Sequence, residues 1–135
     1  MYKNILIPVV FGEGRDTQGS LLAAQALADE GAAFTILHVV EDMPGYVATY
    51  IPEDVVERSR AEITERLSEV ARGLPNAKAV VGRGHAGRAI AEHAKEHAID
   101  CIVVASHRPG LQDIFIGSTA DWVVRHAACS VHVVR

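Results

Sequence analysis

Short apolar runs alternate with longer amphipathic segments along the whole chain. Residues 4–10 (NILIPVV) form a short, β-branched run, the pattern of a strand buried on both faces. Residues 16–31 place Leu21, Leu22, Ala24, Leu27 and Ala28 at helical spacing, with Asp16 as a cap and Gly31 as a stop. Residues 33–40 (AFTILHVV) predict a second strand. The segment EDMPGYVATYIPED that follows reads as a long loop carrying Tyr46 and Tyr50, and loops of that length in small domains are often functional. From Glu53 to Arg72 the pattern is helical, with Val55, Val56, Ile63, Leu67 and Val70 on one face and Glu and Arg on the other. A third strand is predicted over 76–82, a helix over 87–98, a fourth strand over 100–106, a helix over 118–127 and a last strand over 129–135.

The order βαβαβαβαβ of short apolar strands and amphipathic helices predicts an α/β fold. It is a single-domain (1–135), open, parallel five-stranded sheet with helices on both faces, Rossmann-like. Right-handed crossovers restrict the topology. Ligands of such sheets bind beyond the C-terminal strand ends, near Val10, Val40, Gly82 and Ser106 here.

Composition narrows the function classes. Hydrophobic residues make up 49% and charged residues 22% of the 135, as in ordinary globular chains. A formal charge of −4 argues against a nucleic-acid partner. No apolar run reaches the ~18–20 residues of a membrane span. The N-terminal MYKNILIPVV lacks signal-peptide features, which gives an expectation of a cytoplasmic protein with Cys101 and Cys129 as buried thiols.

Two stretches could hold phosphate. Gly82-Arg83-Gly84-His85-Ala86-Gly87 fits G-x-G-x-x-G between a strand and a helix, but it follows the third strand. Asp100 stands at the wrong end of the next strand to reach a ribose. A plain strand-to-helix turn is the simpler reading. The stronger candidate is ASHRPGLQDIFIGST (105–119), which leads into a helix. Helix N-termini accept anions, Gly117 permits close approach, Ser118 and Thr119 carry hydroxyls, and Arg108 adds charge. Its bland counterpart is a capping box in which Asp121 returns to the Ser118 N–H.

The remaining polar residues suggest no catalyst. His93 and His97 have the i, i+4 spacing of metal ligands, but a solvated helix face explains them, and no metal is expected. His38 and His132 lie inside strands, as hydrogen-bonded core or interface residues. His126 ends a helix, where positive charge suits the dipole. Ser106 and His107 are adjacent and lack a third triad member.

The whole chain resembles the universal stress protein family. NILIPVV resembles its first strand, FTILHVVEDMP its second strand and loop, and AIDCIVVASHRP its fourth strand and loop. The closing IGSTADWVVRHAACSVHVVR is the most specific piece, and the ASHRP turn looks closest to the branch of universal stress proteins F and G. The resemblance implies ATP or AMP bound between the first, second and fourth strands, possible magnesium included. The family motif is G-x(2)-G-x(9)-G-[ST]. Gly117 and Ser118 match its end, whereas Ala105 and Arg108 stand at its first two glycines and Gly110 lies further along. Pro8 is followed by Val9 and Val10, where ATP-binding members usually carry an aspartate. The implied nucleotide site is therefore Pro8, Val9, Val10, Val39, Ala105, Ser106, His107, Arg108, Gly110, Gly117, Ser118 and Thr119. The family also dimerises through its last strand, here Val131, Val133 and Val134. Hydrolysis or autophosphorylation would be slow at most, since there is neither a general base nor a Walker-type lysine. The competing expectation is a regulatory module of the same fold that binds protein partners without nucleotide, with residues 41–53 as its contact surface or lid.

Overall fold

A computed structural model describes residues 1–11, 17–42, 44–106 and 116–135. The elements are β1 (Tyr2–Pro8), α1 (Thr17–Leu27), β2 (Ala28–Val40), α2 (Gly45–Ala48), α3 (Glu53–Arg72), β3 (Ala77–Arg83), α4 (Ala86–Glu96), β4 (Cys101–Ala105), α5 (Ser118–His126) and β5 (Ser130–Val134). All strand pairs are parallel, in the order β3-β2-β1-β4-β5. The predicted α/β sheet is therefore observed.

The strand order dictates which face each helix covers. From β1 the chain steps outward to β2 and β3, then crosses back to β4 and β5 on the other side of β1. Right-handed crossovers in opposite directions put their helices on opposite faces. Accordingly Ala24 of α1 and Leu67 and Ala71 of α3 pack on Ile5, Ile7, Phe34, Ile36 and Val103. Ile90 and Ala94 of α4 and Ala120 and Val123 of α5 pack on Leu6, Leu37, Ile102 and Val104. Alternate residues of β1 and β4 thus enter opposite layers, which is why those strands read as unbroken apolar runs.

An aspartate clasps the bottom of the sheet. Asp100 accepts hydrogen bonds from the backbone N–H of Lys3 (2.8 Å) and of Asn4 (3.0 Å). Asn4 in turn donates from Nδ2 to the carbonyls of His97 and Ala98. Asp100 lies at the start of β4, so its role is to join β1 to the α4–β4 turn.

The structure corrects several boundaries. The first helix ends at Leu27, not at Gly31, because Ala28 pairs with Tyr2 and the register then shifts so that Asn4 meets Ala33. Gly31, at φ +79°, takes up that irregularity. The loop after β2 contains the short helix α2. The expected apolar stripe of α3 is only partly used: Leu67 is buried, while Val55 is 47% exposed. Its 20 residues span about 30 Å. The 7 residues of β3 span about 23 Å, so α3 is longer than the edge strand that follows it. The Asp16 cap lies outside the described residues. No described helix is long and apolar enough to cross a membrane.

Candidate functional site

The C-terminal ends of β1, β2 and β4 open into a cleft of about 690 Å³. The reversal of strand order creates it. The chain after β1 goes to a helix on one face and the chain after β4 to a helix on the other, and the cleft lies between them. Pro8, Val9, Val10, Val39, Ala105, Ser106, Gly117, Ser118 and Thr119 all line this cleft. The structure thus brings together nine residues singled out from the sequence; His107, Arg108 and Gly110 lie outside the described residues.

Each wall has a local cause. Beyond β1, the Val9 N–H donates to the Leu37 carbonyl at 2.8 Å, which carries the β1–β2 pairing to the cleft edge. Val9 is buried, whereas Val10 is 51% exposed. Beyond β4, the Ser106 N–H donates to the Val134 carbonyl at 2.9 Å. This holds Ser106 against β5 and leaves it 6% exposed. The Ser106 Oγ is buried and has no hydrogen-bond partner among the described residues. A buried hydroxyl without a partner is costly, so it marks a place where a ligand would supply the missing bond.

The α5 N-terminus faces the same space. Gly117 is the residue before its first turn, extended at φ −60° and ψ 153°, and among the described residues no side chain caps the helix. This corrects the expected capping box. Ser118 is already helical, and Asp121 instead pairs with Arg125 at 3.1 Å. The first-turn N–H groups, which have no partners within a helix, are therefore not occupied by a side-chain cap. A Cβ added to Gly117 would lie 3.4 Å from the Ser106 carbonyl oxygen, so glycine lets the α5 entry sit close to the β4 exit.

Other cleft residues were not legible as site residues: Thr17 and Ser20 from α1, His38 and Glu41 from β2 and its end, Ala86 and Ile90 from α4, and Ile116. The usable signal was positional, since most lie near the end of a strand or in the first turns of a helix. The N-terminal parts of α1, α4 and α5 all contribute residues to the lining, and the positive end of a helix dipole favours an anion.

The other candidates lie elsewhere. His85 caps α4, its Nδ1 accepting from the Arg88 N–H at 3.1 Å. His93 and His97 stack on each other with ring centroids 4.0 Å apart. His126 stacks on Trp122 at 3.7 Å. Burial pushes the Cys101 thiol up to about 11, which keeps it a thiol at neutral pH.

A model of the universal stress protein family matches residues 1–135. The chain belongs to this family. Universal stress protein A homolog 2 of Coxiella burnetii is 32% identical over 99% of the chain and 95% of its own length. The solved universal stress protein UspA of Lactobacillus plantarum is 30% identical, with a TM-score of 0.74 over 99% of this chain and 98% of that one. A universal stress protein from Archaeoglobus fulgidus in complex with dAMP shares the fold at a TM-score of 0.68 and 15% identity, over 99% and 98% of the two chains.

Proposed function

We propose that this universal stress protein binds an adenine nucleotide, ATP or AMP, in the cleft at the ends of β1, β2 and β4. The observation that carries the reading is the pairing of the α5 N-terminus with the buried Ser106 Oγ, neither of which has a side-chain partner among the described residues. Donors gathered on one side of a cleft suit a phosphate. The apolar side chains of Val9, Val10 and Val39 at the opposite end offer a surface for a heterocycle. The dAMP complex of the Archaeoglobus fulgidus relative supports a nucleotide of this class. Arg108 would add a charged phosphate contact, and magnesium would accompany a triphosphate.

The reading extends to assembly. β5 is an edge strand of the sheet, with Val131, Val133 and Val134 partly buried. An open edge of this kind favours pairing with a second copy, and the protein would act as a cytoplasmic homodimer in stress response.

Titration calorimetry of nucleotide-free protein with ATP, with and without magnesium, and with AMP tests the site. Saturable heat and a raised melting temperature are expected. No heat and no thermal shift at millimolar nucleotide would sink the reading.

A further inference from the structure

The two ends of the cleft offer opposite hydrogen-bonding character. At the α5 end, backbone N–H groups donate. At the β1–β2 end, the polar side chains that line the cleft are His38 and Glu41. The Nδ1 of His38 lies 3.0 Å from the Val9 carbonyl oxygen. A carbonyl only accepts, so Nδ1 carries the hydrogen. In the neutral ring Nε2 is then a bare acceptor. Among the described residues no hydrogen bond engages that nitrogen.

The ring is held in place from behind. Phe11 lies against it, centroids 5.4 Å apart and planes 33° apart. The Arg66 guanidinium sits 4.4 Å from the centre of the Phe11 ring. The side chain of Val10, just beyond β1, is exposed and apolar. The Glu41 carboxylate also only accepts. The side chains of His38 and Glu41 therefore suit a group that donates hydrogen bonds.

Building on the nucleotide reading above, we infer that His38 is a specificity-determining residue. Its Nε2 accepts a hydrogen bond from the base of the ligand, so that an amino-bearing purine is held in preference to an oxo-bearing one. The discrimination comes from the tautomer that the Val9 carbonyl imposes. An oxo group in the same place would set two acceptors against each other.

The test uses the full chain and three probes: AMP, IMP, and ribose 5-phosphate, which has no base. The wild-type protein is expected to bind AMP about tenfold more tightly than IMP, the worth of one hydrogen bond. In His38→Phe that ratio should fall toward one, while affinity for ribose 5-phosphate stays unchanged. Nitrogen-15 NMR of the wild-type imidazole provides a readout that needs no variant: the Nε2 resonance should move with AMP and not with ribose 5-phosphate. Equal affinity for AMP and IMP, an unchanged ratio in His38→Phe, or an Nε2 resonance that ignores AMP overturns the inference while leaving nucleotide binding intact. If none of the probes binds, the nucleotide reading itself fails and this inference falls with it.

Discussion

The backbone of Gly87 lies directly against the indole of Trp122: a Cβ built on Gly87 would come within 2.9 Å of the Trp122 Cβ. This contact sets how closely α4 and α5 approach over the second face of the sheet. It also reassigns the glycine-rich stretch at 82–87. Its last glycine serves helix packing, the middle one, Gly84, takes up a φ of +102°, and neither lines the cleft.

Gly87→Ala is therefore expected to destabilise the protein. Alanine is worth about 1 kcal/mol more than glycine within a helix. The clash is with atoms close to the Trp122 backbone, which cannot swing away, and overpacking costs about 1–3 kcal/mol. The clash should win by roughly 1 kcal/mol, read as a lower denaturant midpoint at unchanged slope. Nucleotide affinity should not change, whereas a phosphate-binding glycine would lose it.

Ser106→Ala should separate stability from binding. The hydroxyl is buried and unpartnered among the described residues, so its removal leaves the melting temperature unchanged or raises it. If phosphate supplies the missing partner, affinity for AMP falls by about 0.5–1.5 kcal/mol in calorimetry. Unchanged affinity would remove Ser106 from the site.

Asp100→Ala tests the clasp at the foot of the sheet. Both of its oxygens accept backbone N–H groups, from Lys3 and Asn4. Leaving those donors unpaired should cost about 1–3 kcal/mol. The amides of Lys3 and Asn4 should then exchange with solvent faster than those of Ile36 and Leu37, since the latter lie mid-strand.

His93 makes stability depend on pH. Burial first, then the charges of His97 and Lys78, hold its pKa below the ordinary 6.5, with Glu96 opposing. Its Nε2 is also buried without a partner among the described residues. Below pH 6.5 the unfolded chain takes up a proton that the folded protein resists, so stability is full above that pH and falls as the pH drops toward the depressed value. His93→Leu should flatten this fall. Melting temperatures at pH 8 and pH 5.5 will check it, the variant gaining more at the lower pH.

Much of the fold was legible because parallel strands covered on both faces leave a plain mark. The cores of β1 and β2 and the whole of β4 read as short apolar runs, and the helices between them are amphipathic. The α3 limits, Glu53 to Arg72, could be read directly, because Pro52 precedes the helix and Gly73 follows it. The start of β2 could not. Residues 28–32 keep a helical pattern, and only pairing of Ala28 with Tyr2 pulls them into the sheet. The capping box failed for a related reason: Ser118 and Asp121 have the right spacing, but Asp121 finds Arg125 one turn later.

The sequence by itself determined the layer order and the family, and it marked residues that line the cleft. Hydrophobic periodicity is a local property, and a motif ending in Gly117-Ser118 is written in consecutive letters. The tertiary structure decided which distant residues share the cleft. Ser106, whose buried hydroxyl has no partner among the described residues, is held in place by the Val134 carbonyl from another strand. His38 becomes a fixed acceptor only because the carbonyl of Val9, on the neighbouring strand, claims its Nδ1. Both depend on pairing across the sheet, and pairing partners are chosen by topology and burial, which no single segment encodes.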